Sequence, residues 1–208
     1  MLKLIIKDIA FNKLQVLFGI LIVALSSLFI LVGQLYVMVP FIMAPSLLFN
    51  QIVGKGCYLD DKNSAYSFLR ALPIPKNTIV LSKYAESILV LVISYAIIFG
   101  SNLALKIFGQ SLYQLDTSLI MVISVLLIYF ALFLWLYFKH DFASAQQSAF
   151  VMIVAWIGLL KLQQYLSNSD ITLTRIVHVD FLYLLLLVAI AIFTVSCKLS
   201  INTFAMKE

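Results

Sequence analysis

The sequence predicts an all-α polytopic membrane protein with six transmembrane helices and both termini in the cytoplasm. Three observations carry that expectation. Hydrophobic residues make up 63% of the 208 positions and charged residues 11%, against roughly 45–50% and about 25% in a soluble domain. Six runs reach the ~20 mostly apolar residues needed to cross a bilayer as a helix, at 15–33, 35–54, 78–100, 117–138, 147–166 and 181–199. Cationic residues then fall unevenly about those runs: Lys3, Lys7, Lys13, Lys55, Lys62, Arg70, Lys76, Lys83, Lys139, Lys198 and Lys207 on one side, Lys106, Lys161 and Arg175 on the other. Lys and Arg mark the cytoplasmic face, which places both termini and the 55–77 loop there. The runs are too long and too evenly apolar for barrel strands, which alternate over about 10 residues. Residues 1–208 read as a single transmembrane domain without linker or repeat.

Residues 1–14 put Lys3 and Lys7 one helical turn apart, with Leu2, Ile5, Ile6 and Ile9 largely on another face. This is the pattern of an interfacial helix lying on the inner leaflet. A signal peptide is the rival, but the following apolar run is long and no small-x-small cleavage site comes after Ser26-Ser27, so the segment is expected to be retained. The turn between spans one and two is minimal, around Gly33-Gln34. Span two contains Pro40, near its start where a missing N–H costs little, and Pro45, deeper, where it should kink the helix. Either the kink opens a lateral cleft, or neighbouring helices satisfy the backbone group it frees; the second reading is preferred. Span three is expected to continue past Phe99 toward Lys106. The outer segment 161–180 is polar and mixed in charge, a plain loop or a re-entrant cap over the exit of a pathway.

The net charge of +5 needs no nucleic acid, because the cytoplasmic bias of Lys and Arg and anionic lipid account for it. Cys57 and Cys197 both fall on the reducing side and are expected to be free thiols rather than a disulfide. No paired spacing accompanies them, and His140 and His178 lie on opposite sides of the membrane, so no metal site is expected. Gly54-Lys55-Gly56 lacks the spacing that cradles phosphates. No H-E-x-x-H or G-x-S-x-G occurs, and no nucleophile–base pair supports an intramembrane enzyme. The chain is therefore expected to have no catalytic residues and no cofactor of its own. A charge at mid-bilayer costs roughly 2.5–3.5 kcal/mol, and Glu86, three residues after Lys83, reads as its interfacial ion-pair partner, with an ion-coupling carboxylate as the rival reading.

The cytoplasmic loop has its own structure. Asn63 or Ser64 is a plausible N-cap for a short helix over 62–72. Ala65, Phe68, Leu69 and Leu72 form one apolar stripe, with Ser67 and Arg70 off it. Pro73 stops the helix, and Pro73-Ile74-Pro75 makes a stiff spacer. Asn77 or Thr78 should cap the next helix, beginning at Ile79. Such a short helix is marginal alone and needs an apolar surface to dock on: lipid, its own bundle, or a partner.

At this point the chain resembles the ABC-2-type permeases. The stretch LRALPIPKNTIVLSKY is similar to their S-L-P-[IV]-x-R/K-x-x-[IV]-V-x-[SG]-K-Y run between spans two and three, through Ala71, Leu72, Pro73, Ile74, Lys76, Ile79, Val80, Ser82, Lys83 and Tyr84. Ala71 stands where Ser is usual and Lys76 where Arg is common. A second likeness, LYFKHDFASAQQ at 136–147, fits the Phe-Lys-Phe-Gly turn at Tyr137-Phe138-Lys139 but has Asp141 in place of the glycine, so no function is carried onto it. The resemblance is strongest to small permeases encoded beside an ATPase subunit, including exporters of amphipathic peptides such as the phenol-soluble modulins.

The resemblance implies a permease subunit of an ATP-binding cassette exporter in the cell membrane. It implies an N-terminal interfacial helix, a coupling helix at 62–72, two ABC ATPase subunits that hold ATP and Mg, and a second permease, identical or paralogous. Carried over by position, Tyr66, Phe68, Leu69, Arg70, Leu72, Pro73, Pro75 and Lys76 would form the ATPase-coupling element. Phe41, Met43 and Pro45 of span two and Phe150, Met152 and Trp156 of span five are the candidate pathway lining; the same residue types also face lipid or core. An amphipathic peptide or lipophilic substrate suits so few internal charges. The alternative is a non-transporting immunity or assembly protein that binds a peptide or another membrane protein.

Overall fold

In lipid a chain must satisfy its backbone internally, and long apolar runs do so as helices. The computed structural model describes residues 2–26, 38–63, 75–107, 116–150 and 179–206, and every regular element among them is helical. In order these are α1 (Leu2–Phe11), α2 (Lys13–Ser26), α3 (Met38–Phe49), a π turn (Asn50–Gly54), α4 (Lys55–Lys62), α5 (Lys76–Ile107), α6 (Asp116–Lys139), the helical stretch 142–150, and α7 (Val179–Met206).

Among the described residues, three stretches are long and apolar enough to cross a membrane: Lys76–Gly100, Leu119–Lys139 and Tyr183–Met206. They coincide with expected spans three, four and six. Parts of the other three, 27–33, 35–37 and 151–166, lie outside the described residues, as do most of the 62–72 helix and the outer segment up to 178. Helix α5 does continue to Ile107, as the polar tail after Phe99 suggested. It starts earlier than expected, at Lys76, so Asn77 and Thr78 lie inside its first turn instead of capping it. The reason is Pro75, whose carbonyl accepts the Thr78 N–H at 2.8 Å and opens the ladder there. At 32 residues the helix is about 48 Å long, well beyond a ~30 Å hydrocarbon core.

The chain divides into two units, Met1–Leu115 with Ile201–Glu208, and Asp116–Ser200. In the first, α2, α3 and α5 pack together, with α1 set against α5. Phe41, Leu48 and Phe49 of α3, Val53 of the π turn and Val80 and Ile98 of α5 are fully or nearly fully buried. Pro45 lies inside α3. A proline cannot donate to the carbonyl four residues back, here that of Phe41, and the Tyr95 hydroxyl of α5 donates to that oxygen instead, at 3.3 Å. The two rings also stack, centroids 6.4 Å apart. The freed backbone group is thus satisfied by a neighbouring helix.

Helix α3, the π turn and α4 form one continuous helix from Met38 to Lys62, with αR geometry at both junctions. Its buried residues fall at intervals of four: Ala44, Leu48, Ile52, Gly56 and Asp60 on one row, Phe41, Pro45, Phe49, Val53 and Cys57 on the next. An α-helix repeats every ~3.6 residues, so a period-four stripe drifts around it unless one turn is widened. The π turn does this. It moves the ladder back by one residue, and the Asn50 side-chain amide donates to the Ser46 carbonyl beside the shift, at 3.0 Å.

In the second unit, Tyr129, Phe130, Phe133, Leu134, Tyr137 and Phe138 of α6 are buried, and Phe133 meets Phe142 edge-on at 6.3 Å. Ser196 of α7 donates to the Ala131 carbonyl of α6 at 2.7 Å, a small-residue contact of the kind that holds helices together in lipid. The Asp141 carboxylate accepts the Ser144 N–H at 2.8 Å. Asp141 therefore caps the 142–150 helix.

Candidate functional site

The buried charges of the first unit converge at the N-terminal end of α5. Helix α1 delivers Lys7 and Asp8, α4 delivers Asp60, and α5 delivers Lys83. The Lys83 ammonium donates to Asp8 Oδ2 at 2.7 Å and pairs with Asp60 Oδ2 at 3.1 Å. Lys7 takes the other oxygen of each carboxylate, Asp8 Oδ1 at 3.3 Å and Asp60 Oδ1 at 3.2 Å. Two cations and two anions form a closed square in which every carboxylate oxygen has a cation. The Lys83 side chain is 3% exposed, while that of Lys7 is 33% exposed and reaches toward solvent.

Burial makes this arrangement binding. Isolated charges in a protein interior cost several kcal/mol each, and attraction repays that only where partners and geometry are complete. The square meets that condition, so the feet of three elements are locked together. Gly56 is part of the fit: a Cβ there would lie 3.0 Å from Lys83 Nζ and 3.7 Å from Asp8 Cγ, so glycine lets α4 lie directly against the cluster. Burial also pushes the Cys57 thiol up, with the Lys83 ammonium partly opposing; the group is an inert apolar filler rather than a thiolate. Neither cysteine is in a disulfide.

Two expectations change here. Helix α1 does not leave its whole apolar face uncovered. Ile5, Asp8 and Asn12 are buried while Ile6 is exposed, because Asp8 is drawn inward by Lys83. Nor is Glu86 the interfacial partner of Lys83. Lys83 is occupied by Asp8 and Asp60, and Glu86 is 1% exposed with neither oxygen hydrogen-bonded among the described residues. The other buried polar groups of α5 are quiet: Ser82, Ser87 and Ser94 each donate to a carbonyl of their own helix at 2.7 Å.

Of the residues singled out from the sequence, Tyr66, Phe68, Leu69, Arg70, Leu72 and Pro73 lie outside the described residues, as do Met152 and Trp156. Pro75 is exposed and Lys76 half-buried at the start of α5. Phe41 and Pro45 are buried within the α3–α5 packing, whereas Met43 and Phe150 are exposed. The square itself was not anticipated, although Asp60 sits on the period-four row and Asp8 one turn from Ile5. Among the described residues no group of His, Cys, Asp and Glu is arranged to hold a metal ion.

Long apolar helices, an ion lock at the foot of one of them and serines bonded back to their own backbones define a helical membrane protein. The sequence matches the model of the ABC-2 family transporter proteins over residues 3–205, and the chain belongs to that family of transporter membrane components. No curated protein and no solved structure is detectably similar to it.

Proposed function

We propose that this chain is the permease half of an ATP-driven exporter, working with two ATPase subunits and a second permease copy or paralogue, and moving an amphipathic peptide or lipophilic molecule across the cell membrane. Family membership over nearly the whole length supports the permease role. The ion square carries the mechanical part. The 63–75 segment leaves from α4 at Lys62 and returns at Lys76 of α5, and Lys83 ties those two helices together through Asp60 within two turns of the return. A force applied to the segment by an ATPase is passed to α3, α4 and α5 as a block instead of being lost in a slack loop. Phe68, Leu69 and Arg70 would seat in the ATPase, braced by Pro73 and Pro75, with both termini on the same side.

The test is co-expression with an ABC ATPase subunit. Phe68→Ala or Leu69→Ala should weaken ATPase association by more than about 1 kcal/mol, the scale of an interface hot spot, and lower export without lowering membrane insertion. Normal ATPase co-purification and normal export in both variants would overturn the assignment.

A further inference from the structure

Lys83 has one more carboxylate near it than it uses. Glu86 follows three residues later, so the two are neighbours on the surface of α5, and both are buried. Among the described residues, neither Glu86 oxygen has a hydrogen-bond partner. A buried polar group left without a partner is rare in native proteins and calls for a reason. The square supplies one. Each aspartate keeps one oxygen on Lys7 and the other on Lys83. Withdrawing the Lys83 ammonium would therefore leave both aspartates with a cation, while cutting both bonds by which Lys83 holds α5 to α1 and α4. A lysine stem is flexible and its ammonium is a compact charge with three rotatable donors, so the transfer needs no unwinding of α5.

We infer that Glu86 is the second seat of the Lys83 ammonium, and that exchange between the Asp8–Asp60 pair and Glu86 latches and unlatches α5 from α1 and α4. In the latched arrangement, the one in the structure, the square is closed and Glu86 is empty. In the unlatched arrangement Lys83 pairs with Glu86, and α1 and α4 stay joined through Lys7. Because α4 ends at Lys62 and α5 begins at Lys76, the exchange lets the two ends of the 63–75 segment move relative to each other. Gly56 leaves the ammonium just enough room in its first seat. Use of this motion in transport rests on the exporter reading above; the exchange itself does not.

The experiment places spin labels at Asn63→Cys and Asn77→Cys, both exposed positions, in the full chain with Cys57→Ala and Cys197→Ser, reconstituted in lipid nanodiscs. Pulsed dipolar spectroscopy should resolve two separations, and Glu86→Gln, which keeps the shape but removes the seat's charge, should abolish the longer one. Lys83→Met should give the longer separation whether residue 86 is Glu or Gln, and serves where Glu86→Gln fails to fold. A single separation in the otherwise native chain, or the same distribution with Glu86 and Glu86→Gln, overturns the exchange. In the complex with the ATPase, Glu86→Gln should lower export about tenfold, an ordinary coupling magnitude, with insertion and ATPase association unchanged. A changed distance distribution without ATPase association would keep the latch and remove the exporter reading. An unchanged distribution with export intact would do the reverse.

Discussion

Replacing Tyr95 by Phe removes one oxygen from a buried contact between α3 and α5, and the structure sets what that should cost. The acceptor is the Phe41 carbonyl, freed because Pro45 has no N–H to give it, and the hydroxyl reaches it at 3.3 Å. Both residues are buried, at 6% and 1% exposure. A typical hydrogen bond contributes about 0.5–1.5 kcal/mol net, and a buried group left unsatisfied costs about 1–3 kcal/mol. The distance is longer than the ~2.7–2.8 Å preferred by hydroxyl donors, and hydrogen bonds between helices in membranes average about 0.6 kcal/mol. Tyr95→Phe should therefore cost about 1 kcal/mol, or roughly 2–4 °C in midpoint for a chain of this size. Thermal unfolding of the purified protein followed by intrinsic fluorescence measures it. The decisive arm is the Pro45→Ala background. Alanine restores an N–H four residues after Phe41, so the carbonyl regains a partner in its own helix and Tyr95→Phe should become nearly silent. Equal costs in the two backgrounds would show that the hydroxyl does not stand in for the missing N–H.

Two further outcomes follow from the ion square. Lys83→Met leaves two buried aspartates sharing Lys7 and should destabilise by about 3 kcal/mol, the low end for breaking a buried pair, while Asp8→Asn, Asp60→Asn and Lys83→Met combined should restore most of that loss, since a fully neutral replacement is commonly tolerated. Chemical denaturation of the variants checks both. Burial pushes the Cys57 thiol up, so the thiolate is scarce at neutral pH; a maleimide at pH 7 should leave Cys57 unmodified in the folded chain and label it after denaturation, read by mass spectrometry.

Much of the architecture was legible because its cause is local. A run such as Leu119–Lys139, with mean hydropathy 2.8, has no alternative to helix in lipid, and Pro75 marks the start of α5 to within a few residues. The lysine bias likewise needs no tertiary structure to be read. Helix α1 shows the limit. Its sequence has an apolar face and a charged face, and the face that is buried is neither, because Asp8 finds Lys83 seventy-five positions away. Glu86 departs from its sequence pattern for the same reason: three-residue spacing on a helix makes an ion pair with Lys83 available, but two aspartates from other elements compete for the same ammonium and win.

The sequence by itself determined that this chain lives in a membrane, where α5, α6 and α7 run, and that a proline-bearing segment precedes α5. Those properties follow from backbone bonding and the cost of exposing apolar surface or charge, which each stretch settles on its own. Tertiary structure alone decided which charges meet. The ion square draws on α1, α4 and α5, and the π turn that rotates Asp60 into place is visible only as a four-residue repeat whose meaning depends on what lies opposite. Electrostatic partners in a low-dielectric interior are chosen by proximity in space, and proximity is the one quantity a linear pattern does not carry.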